Sequence, residues 1–407
     1  MQLAQSGVKN LLGVRIARIS TVPFFVVTQL KSQLAGLGKE GAQVLVISSD
    51  GLELAALNDL LGVHCVPIDI PRSIAPMRDF VGLVKLFFLL KRERIQIVHS
   101  TTPKAGLLSA IAAFLAGVPI RLHTFTGQPW VNMRGLKGWL ARNSDKLIGR
   151  LNTLCYADSH SQKDFLIQQK IITAKKIAVI GAGSLAGVDV QRFNREKFSL
   201  RQCEELRASL GITAEAPLLL FLGRITVDKG LRELLESFSN LKASGSQAHL
   251  LLVGPIDTTS GVAGLISLQD IERIVDTHWV DYTDSPEAYL AIADVLCLPS
   301  YREGFGTVVI EAAAMGVPTV GTSIYGLTDA VVQGETGLLV ATQNVPELTQ
   351  ALEKILNDSH LRISMGAAAK LRVQQMFDAN KVNQQLIDEY LVLLQNRNKE
   401  AERVSLK

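Results

Sequence analysis

The segment 294–322, "DVLCLPSYREGFGTVVIEAAAMGVPTVGT", decides the fold because it joins two apolar runs through a helical pattern. The runs "DVLCLPS" and "VPTVGTS" have the length and apolar content of buried strands. Apolar strands that alternate with helices indicate a parallel sheet covered on both faces. The loop Tyr301–Gly306 then follows the carboxyl end of a strand, where ligands bind in such sheets.

The same alternation of strand and helix patterns extends through both halves of the chain. A chain of 407 residues is long enough for two domains. We therefore predict an α/β protein with two doubly wound domains and an active site in the cleft between them. The predicted strands are "GVRIARIS", "QVLVIS", "IQIVHS", "IRLHTF", "TLCYADS", "PLLLFLG", "AHLLLVG", "DVLCLPS", "VPTVGTS" and "GLLVA". The predicted helices are 25–37, 77–91, 103–116, 229–244, 307–315, 345–356 and an amphipathic segment from 359 to about 396.

The predicted domains are residues 1–200 and 201–375, and residues 376–407 form a helix that crosses back to the first domain. The polar stretch 194–217 suggests the break. Four scattered cysteines form no C-x-x-C, so neither a zinc site nor a disulfide framework is indicated. No secretory signal pattern is visible, and the apolar run 81–90 is too short to span a bilayer.

Charge is divided unequally along the chain. Residues 1–200 carry 25 Lys and Arg against 12 Asp and Glu, whereas residues 201–407 carry 17 against 26. A basic first half favours an anionic partner such as lipid headgroups, nucleic acid or a phosphorylated substrate. No nucleic-acid motif accompanies the charge, so we expect no nucleic-acid partner. Drift of surface charge without function is the alternative.

The stretch "FLGRITVDKG" (221–230) places Arg224 and Lys229 between a strand end and a helix start. Backbone N–H groups and the helix dipole favour an anion there. The guanidinium fork and the ammonium both suit phosphate. These cations could stabilise a departing diphosphate, which is the task of Mg²⁺ in other enzymes. Ordinary surface cations near a loop are the alternative.

Glu303 and Glu311 flank the start of the helix predicted at 307–315. Their spacing allows an acid–base pair, a pair of metal ligands or a solvated acidic face. The glycines of "EGFG" let the backbone approach a ligand closely, and the helix N-terminus can face phosphate. We therefore interpret the stretch as a binding cradle. Gly254 in "LLVGP" ends another strand and could place backbone against a nucleobase or ribose.

Together these motifs resemble glycosyltransferase family 4, which has the GT-B fold. The resemblance covers nearly the whole chain and is strongest at Arg224 with Lys229 and at the glutamate pair of "EGFGTVVIE". The stretch "GAGSLAGVDVQRFN" (181–194) looks like the family's connector into the second domain. The stretches 100–120 and "RSIAPMRDF" (72–80) look most like the branch that builds bacterial capsule, O-antigen and lipid-linked glycans.

The resemblance implies two Rossmann-like domains, the first binding the acceptor and the second a nucleotide sugar, expected to be a UDP-sugar. It implies metal-independent transfer with retention of anomeric configuration to a polyprenyl-diphosphate-linked acceptor, without a cofactor. Arg224 and Lys229 would hold the donor diphosphate. Glu303 would contact the transferred sugar, expected to be an acetamido sugar or a hexose, and Glu311 would contact the ribose. Backbone N–H groups of Phe305, Gly306 and Thr307 would cap the distal phosphate.

The chain departs from the family pattern at two places. The stretch "STVPFFV" (20–26) lacks the glycine-rich turn of many relatives and is assigned no phosphate role. Thr126 stands where many relatives carry a histidine. Thr126 and Gly127 follow a strand end and are expected to line the cleft, with Thr126 contacting the donor sugar. His123 lies earlier on that strand and could contact substrate, although a strand histidine is more often a core residue.

The segment Pro129–Arg150 carries five cations against one acid, with Trp130 and Trp139 among them. This composition suits a helix that lies on an anionic membrane. We expect a cytoplasmic protein that associates peripherally with the inner face of the cell membrane. For the helix predicted over Met77–Arg94, we expect instead that its apolar residues are buried in the first domain.

Two other functions fit the sequence. A non-hydrolysing UDP-sugar 2-epimerase shares the fold but has no reason for a basic face that carries tryptophans. A degenerate, non-catalytic transferase would not need Arg224, Lys229, Glu303 and Glu311 together.

Overall fold

A computed structural model describes residues 10–71, 75–256, 271 and 273–405. The chain divides into two compact units. Unit 1 comprises residues 1–186 and 379–407, and unit 2 comprises residues 187–378. The resemblance noted at residues 72–80 lies partly outside the described residues, because the description omits 72–74.

The described strands of unit 1 form a parallel sheet of seven in the order β3-β2-β1-β4-β5-β6-β7. All five strands predicted in this half are confirmed. The sequence analysis missed β3 and β7, which form the two edges and are short or only half-buried. The strands are β1 Arg15–Ile19, β2 Gln43–Ser48, β3 Val63–Pro67, β4 Ile97–Thr101, β5 Ile120–Phe125, β6 Leu154–Ala157 and β7 Ile177–Ala178.

The order of these strands reverses between β1 and β4. Right-handed crossovers on either side of that point put helices on both faces of the sheet. Separate clusters of buried Leu, Ile and Val fill the interior of the unit. The α-helices among the described residues of unit 1 are α1 Pro23–Phe25, α2 Lys31–Lys39, α3 Pro76–Arg92, α4 Pro103–Leu115, α5 Gly135–Leu151, α6 His160–Gln168 and α14 Ala379–Ser405.

The C-terminal helix α14 packs against α2, which confirms that the chain returns to the first half. Tyr390 of α14 lies in the core, and its hydroxyl is 2.6 Å from Nδ1 of His99 on β4. Arg18 of β1 donates to the same hydroxyl at 3.3 Å and to Gln33 at 2.9 Å. These buried polar contacts join the helix to the sheet. The helix predicted at 25–37 contains a π-helical turn, Val26–Leu30, between α1 and α2.

Helix α3 has two apolar faces, and only one of them is buried. Leu86, Leu89 and Leu90 pack in the core as expected. The sequence pattern did not distinguish this buried face from a second apolar face that is exposed. The expectation that the helix simply buries its apolar residues is therefore wrong for the second face. That second face is exposed and includes Met77, Phe80, Val81, Val84 and Phe88.

The described strands of unit 2 form a parallel sheet of six in the order β10-β9-β8-β11-β12-β13. Its five predicted strands are confirmed, and the half-buried edge strand β10 was missed. The strands are β8 Leu218–Leu222, β9 His249–Val253, β10 Thr277–Val280, β11 Val295–Leu298, β12 Thr319–Thr322 and β13 Gly337–Val340. The α-helices among the described residues of this unit are α7 Leu200–Ser209, α8 Leu231–Ala243, α9 Pro286–Ile292, α10 Thr307–Ala314, α11 Leu327–Ala330, α12 Val345–Asn357 and α13 Ser359–Met376.

The segment predicted as one amphipathic helix from residue 359 is two helices, α13 and α14, which belong to different units. In unit 2 the backbone N–H of Val188 donates to the carbonyl of Phe377 at 2.8 Å. Within the described part of the chain, no helix combines the length and hydropathy needed to span a bilayer.

The strand order of unit 2 reverses between β8 and β11. In open α/β sheets this reversal opens a crevice at the carboxyl ends of the two strands. The segment after β8 carries Arg224 and Lys229, and the segment after β11 carries Glu303. The fold therefore brings the two predicted motifs to one place on the sheet.

Candidate active site

The segment after β8 is shaped by two glycines. Gly223 has φ +144° and Gly230 has φ +67°, conformations that side chains with a Cβ seldom adopt. Gly230 starts helix α8, and a Cβ there would lie 2.1 Å from the carbonyl oxygen of Pro299. The segment after β8 therefore lies in direct contact with the segment after β11.

Lys229 and Glu303 meet across this contact. The Lys229 Nζ lies 2.5 Å from Oε1 of Glu303, and the Ser300 hydroxyl donates to the same oxygen at 2.9 Å. The two side chains are only 22% and 13% exposed. Partial burial strengthens the attraction between the charges and keeps the ammonium oriented. The sequence predicts both residues in one site but does not predict their ion pair.

Asp228 and Arg302 form a second connection between the same two segments. Arg302 donates to Oδ2 of Asp228 at 2.9 Å, and Thr226 donates to Oδ1 at 2.5 Å. Although burial acts to raise it, the pKa of Asp228 is lowered by the hydrogen bond from Thr226 and by the Arg302 charge. Neither residue is among those predicted from the sequence. Their position directly beside Lys229 and Glu303 was the available signal.

The N-terminus of α10 follows Glu303. Gly306 has φ +85° and is buried, and a Cβ there would lie 2.6 Å from Leu327. The Phe305 side chain is buried against Phe377, with ring centroids 5.1 Å apart. Phe305 and Gly306 can therefore offer a ligand only backbone groups, whereas the Thr307 side chain is half-buried.

Glu311 lies about one turn into α10 and is half-buried. Burial raises the pKa of its carboxyl to about 7, opposed by the charge of Arg192 and supported by that of Glu287. A carboxyl that titrates near neutrality gains much from a ligand that donates hydrogen bonds to its charged form. Arg224, by contrast, is exposed on the segment after β8.

Gly254 follows β9, the neighbour of β8. Its φ is +141°, and a Cβ would lie 2.1 Å from the carbonyl oxygen of Gly223. The Trp279 indole donates to the Gly254 carbonyl at 3.1 Å. The ends of β8 and β9 therefore approach each other with backbone only.

In unit 1, His123 is buried inside β5. Its Nδ1 lies 3.0 Å from the Ser100 hydroxyl, and its ring meets Phe125 edge-to-face at 4.7 Å. Burial lowers the pKa of His123 to about 3. A Cβ at Gly106 would lie 2.4 Å from the imidazole, so helix α4 covers it closely. These contacts place the imidazole in the core.

Thr126 and Gly127 directly follow β5 and are half-buried. The structure places a further pair, Thr21 and Thr102, where the strand order of unit 1 reverses. Their hydroxyls are 2.9 Å apart, and Thr102 has φ +69°. Such a conformation costs about 1–3 kcal/mol, and residues that adopt it cluster at functional sites. This pair is not among the residues predicted from the sequence, although its place at a strand-order reversal is a signal for a ligand site.

Helix α5 exposes part of the basic, apolar segment. Leu136 is 71% exposed and Trp139 is 62% exposed. Trp130 differs from the expectation of an interfacial tryptophan, because it is buried and donates to Oδ2 of Asp145 at 2.7 Å. Burial raises the pKa of Asp145 to about 7, against the opposing hydrogen bond from Trp130.

Two Rossmann-like units, one of which carries Arg224, Lys229 and a helix N-terminus at its strand-order reversal, are the architecture of GT-B glycosyltransferases. The family described as "Glycosyl transferases group 1" matches residues 202–372, and "Glycosyl transferase 4-like domain" matches residues 26–183. The capsular polysaccharide biosynthesis glycosyltransferase CapM of Staphylococcus aureus is 31% identical over 367 residues, covering 90% of this chain and 94% of that protein. The chain belongs to this glycosyltransferase family, in its family 4 branch.

Other relatives agree with this assignment. The N,N'-diacetylbacillosaminyl-diphospho-undecaprenol alpha-1,3-N-acetylgalactosaminyltransferase of Campylobacter jejuni is 26% identical over 365 residues, covering 87% of this chain and 92% of that protein. The crystal structure of Anabaena HepE in complex with UDP and glucose matches with a TM-score of 0.78 at 20% identity, covering 93% of this chain and 99% of that one. This structural likeness supports the GT-B fold. The chain is a glycosyltransferase of polysaccharide or lipid-linked glycan biosynthesis.

Proposed function

We propose that this glycosyltransferase moves a hexose or an acetamido sugar from a UDP-sugar to a polyprenyl-diphosphate-linked acceptor, with retention and without a metal ion. The observation that carries the proposal is the Lys229–Glu303 pair, held beside the N-terminus of α10 where the strand order reverses. Anabaena HepE contains UDP and glucose in its crystal structure. The name of the C. jejuni relative gives a diphospho-undecaprenol acceptor.

Unit 2 binds the donor in this proposal. Arg224 and Lys229 hold the diphosphate, and backbone N–H groups at Phe305, Gly306 and Thr307 cap the distal phosphate. Negative charge on the diphosphate grows as the bond to the sugar breaks, so fixed cations lower the barrier. Because the ion pair with Glu303 orients the Lys229 ammonium in advance, little reorganisation is needed during the reaction.

Glu303 and Glu311 contact different parts of the donor. Glu303 accepts hydrogen bonds from hydroxyls of the transferred sugar while it orients Lys229. Glu311 accepts hydrogen bonds from the ribose, which favour its charged form. Gly254 places backbone against the nucleoside.

The leaving phosphate takes the acceptor's proton on the same face of the sugar, which accounts for retention without a protein base. Unit 1 binds the acceptor through Thr126 and Gly127, with Thr21 and Thr102 at its strand-order reversal. Thr126 also contacts the donor sugar. His123 supports the sheet in this proposal, because its imidazole is enclosed by Ser100, Phe125 and α4.

The exposed face of α5 associates with the inner face of an anionic cell membrane, without nucleic acid as a partner. Leu136, Trp139, Leu140 and Leu147 are exposed there, among Lys137, Lys146 and Arg150. Apolar residues can enter the interface while cations attract anionic headgroups. The second apolar face of α3 extends the exposed apolar surface of unit 1. Unit 1 has 27 basic and 14 acidic residues, a net of +13, whereas unit 2 has 15 and 24, a net of −9.

A transfer assay tests the proposal. UDP-sugars are incubated with undecaprenyl-diphosphate-linked sugars in detergent, and the product is analysed for the configuration of the new bond. We expect an α-configured donor to give an α-configured glycosidic bond in the product. We also expect the activity to persist in EDTA. Inversion, or activity lost in EDTA and restored by Mg²⁺ or Mn²⁺, would contradict the corresponding part of the mechanism.

The same assay without acceptor tests the UDP-sugar 2-epimerase. The relatives named above are transferases, so the comparisons do not favour this alternative. Formation of a 2-epimer without transfer would establish it in place of the transferase.

A further inference from the structure

A cavity of about 550 Å³ lies in unit 1 between the C-terminal half of α5 and the segment that follows α6. It opens at the amino-terminal edge of the sheet, because α5 ends at Leu151 and β6 begins at Leu154. The candidate acceptor residues follow the carboxyl ends of the strands instead. The cavity is therefore separate from the site already described. Among the described residues, its lining includes four cations and three isoleucines but no acidic residue: Lys146, Arg150, Ile167, Lys170, Ile171, Ile172 and Lys176.

Cations dominate the rim of this cavity. Among the residues that the structure describes, none of its four lining cations takes part in an ion pair. Like charges that line one cavity repel one another, so an anion that binds there would offset this repulsion as well as being attracted directly.

Lys176 is fixed in place. Its Nζ donates to the carbonyls of Arg150 at 2.8 Å, Asn152 at 2.9 Å and Gly149 at 3.3 Å. These carbonyls belong to the end of α5, where backbone acceptors lack partners within the helix. Lys176 therefore offsets the negative end of the helix. The charges of Lys146, Arg150 and Lys170 are left for a ligand.

The floor of the cavity is apolar. Ile171 and Ile172 are buried, and a Cβ at Gly149 would lie 3.2 Å from Ile172, so α5 and the floor are in close contact. An apolar floor with a cationic rim lowers the local dielectric and strengthens attraction to an anion. It fits a phosphate carried on a small organic group better than a fully hydrated ion.

The cavity is continuous with the exposed apolar face of α5. At 3.6 residues per turn, Arg150 lies on the same face as Leu140 and Leu147. Leu140 is 44% exposed and Leu147 is 36% exposed. A phosphate in the cavity therefore lies beside side chains suited to the membrane interface. This arrangement favours a lipid over a free phosphate as the source of the anion.

We propose that the cavity binds the phosphodiester headgroup of an anionic phospholipid while the exposed face of α5 lies in the membrane interface. The proposal rests on the membrane association included in the proposed function and adds a defined headgroup site to it. Lys146, Arg150 and Lys170 contact the phosphate oxygens. The glycerol lies over Ile171 and Ile172.

A matched pair of double variants tests the headgroup site. K146Q/K170Q removes two charges from the cavity, and K39Q/K175Q removes two from exposed positions outside both its lining and helix α5. Both variants lose the same long-range attraction to an anionic surface. Binding to vesicles of phosphatidylcholine with phosphatidylglycerol is measured by flotation. We expect the cavity variant to lose at least tenfold more affinity than the control, and equal losses would overturn the proposal.

Glycerol 3-phosphate separates a lipid from a free phosphate. It should raise the melting temperature of the wild type and the control but leave that of K146Q/K170Q unchanged. If it does so while both variants bind vesicles equally, the ligand is a soluble phosphate and the lipid is excluded. The single variant K170Q serves if the double variant does not fold, because Lys170 is exposed. Transfer to the detergent-solubilised acceptor should be retained in both variants. If the wild type itself shows no transfer in this assay, the result refutes the proposed function and not the headgroup site.

Discussion

Lys229 is the residue on which the proposed chemistry depends most, because its ammonium is already oriented by Glu303 before a donor binds. Lys229→Ala should lower kcat by about 10²–10³-fold, the usual effect of removing one preorganised group from a developing negative charge. Steady-state kinetics with saturating donor measures the loss. Wild-type turnover in this variant would refute the assignment.

Lys242→Ala is a matched control for that experiment. Lys242 pairs with Asp276 at 2.6 Å and is 18% exposed, close to the 22% of Lys229. It lies at the other end of α8, on the amino-terminal edge of the sheet. Both variants break a half-buried ion pair, but only Lys229→Ala should lose turnover.

Glu311 gives the site a pH dependence near neutrality. In the unfolded chain a glutamate has a pKa of about 4.3, whereas burial raises that of Glu311 to about 7. The folded state therefore holds more protons between these values, and this group's contribution to stability falls as the pH rises through that window. Donor binding should have the opposite dependence, because in the proposed site the ribose hydroxyls donate to the carboxylate.

Affinity for the UDP-sugar should therefore rise as the pH increases from about 6 to 8. Glu311→Gln should bind more weakly at pH 8 and show no such rise. Titration calorimetry across this range measures both effects. An equal pH dependence in the wild type and in Glu311→Gln would remove Glu311 from the ribose site.

The residue types of the site could be predicted from sequence, but their contacts could not. Arg224, Lys229, Glu303 and Glu311 stand out through their positions after strand patterns and before helices. The Lys229–Glu303 pair depends on two segments 74 residues apart, brought together by the order of β8 and β11. The Thr21–Thr102 contact depends on a strand-order reversal in the same way, and a threonine by itself does not indicate a functional site.

At the scale of elements, Gly230 sets the distance between the segments after β8 and β11. Gly230→Ala should lower both turnover and stability, because the Cβ would displace the Pro299 carbonyl and with it the segment that carries Glu303. Thermal unfolding and kcat measure the two effects.

Gly316→Ala separates this clash from backbone strain. Gly316 has φ +76°, close to the +67° of Gly230, and a Cβ there would meet nothing within 4 Å. Both variants carry a similar penalty of about 1 kcal/mol for a left-handed residue. Turnover should remain near wild type in Gly316→Ala. Equal losses of turnover would show that the Pro299 contact does not matter.

Strands that are buried on both faces could be predicted, because their apolar runs are too short to form a helix of ordinary length. Edge strands such as β3, β7 and β10 could not, since one side lacks a neighbour and the pattern is weaker. Helix periodicity showed that α3 and α5 are amphipathic. It did not show which apolar face each helix buries, because that depends on the neighbouring helix α4.

For the whole molecule, the division of charge follows the division into compact units. Assigning α14 to unit 1 leaves that unit at +13 and unit 2 at −9. A basic unit that also exposes apolar side chains on α5 suits the surface of an anionic membrane. Because each attraction alone is weak, the proposed membrane association should depend both on salt and on α5.

Leu136→Ser and Ile363→Ser test this combination, because the two side chains are equally exposed at 71% and lie on different units. Insertion of Leu136 into the interface should contribute about 1.5 kcal/mol, so Leu136→Ser should weaken binding to anionic vesicles about tenfold. Ile363→Ser should leave this affinity unchanged. Raising the salt concentration from 0.1 to 1 M should weaken the binding of the wild type and of both variants. Flotation at each salt concentration measures the affinities. Equal binding by the two variants would exclude α5 as the membrane contact, whereas binding unaffected by salt would exclude the charge of unit 1 as its cause.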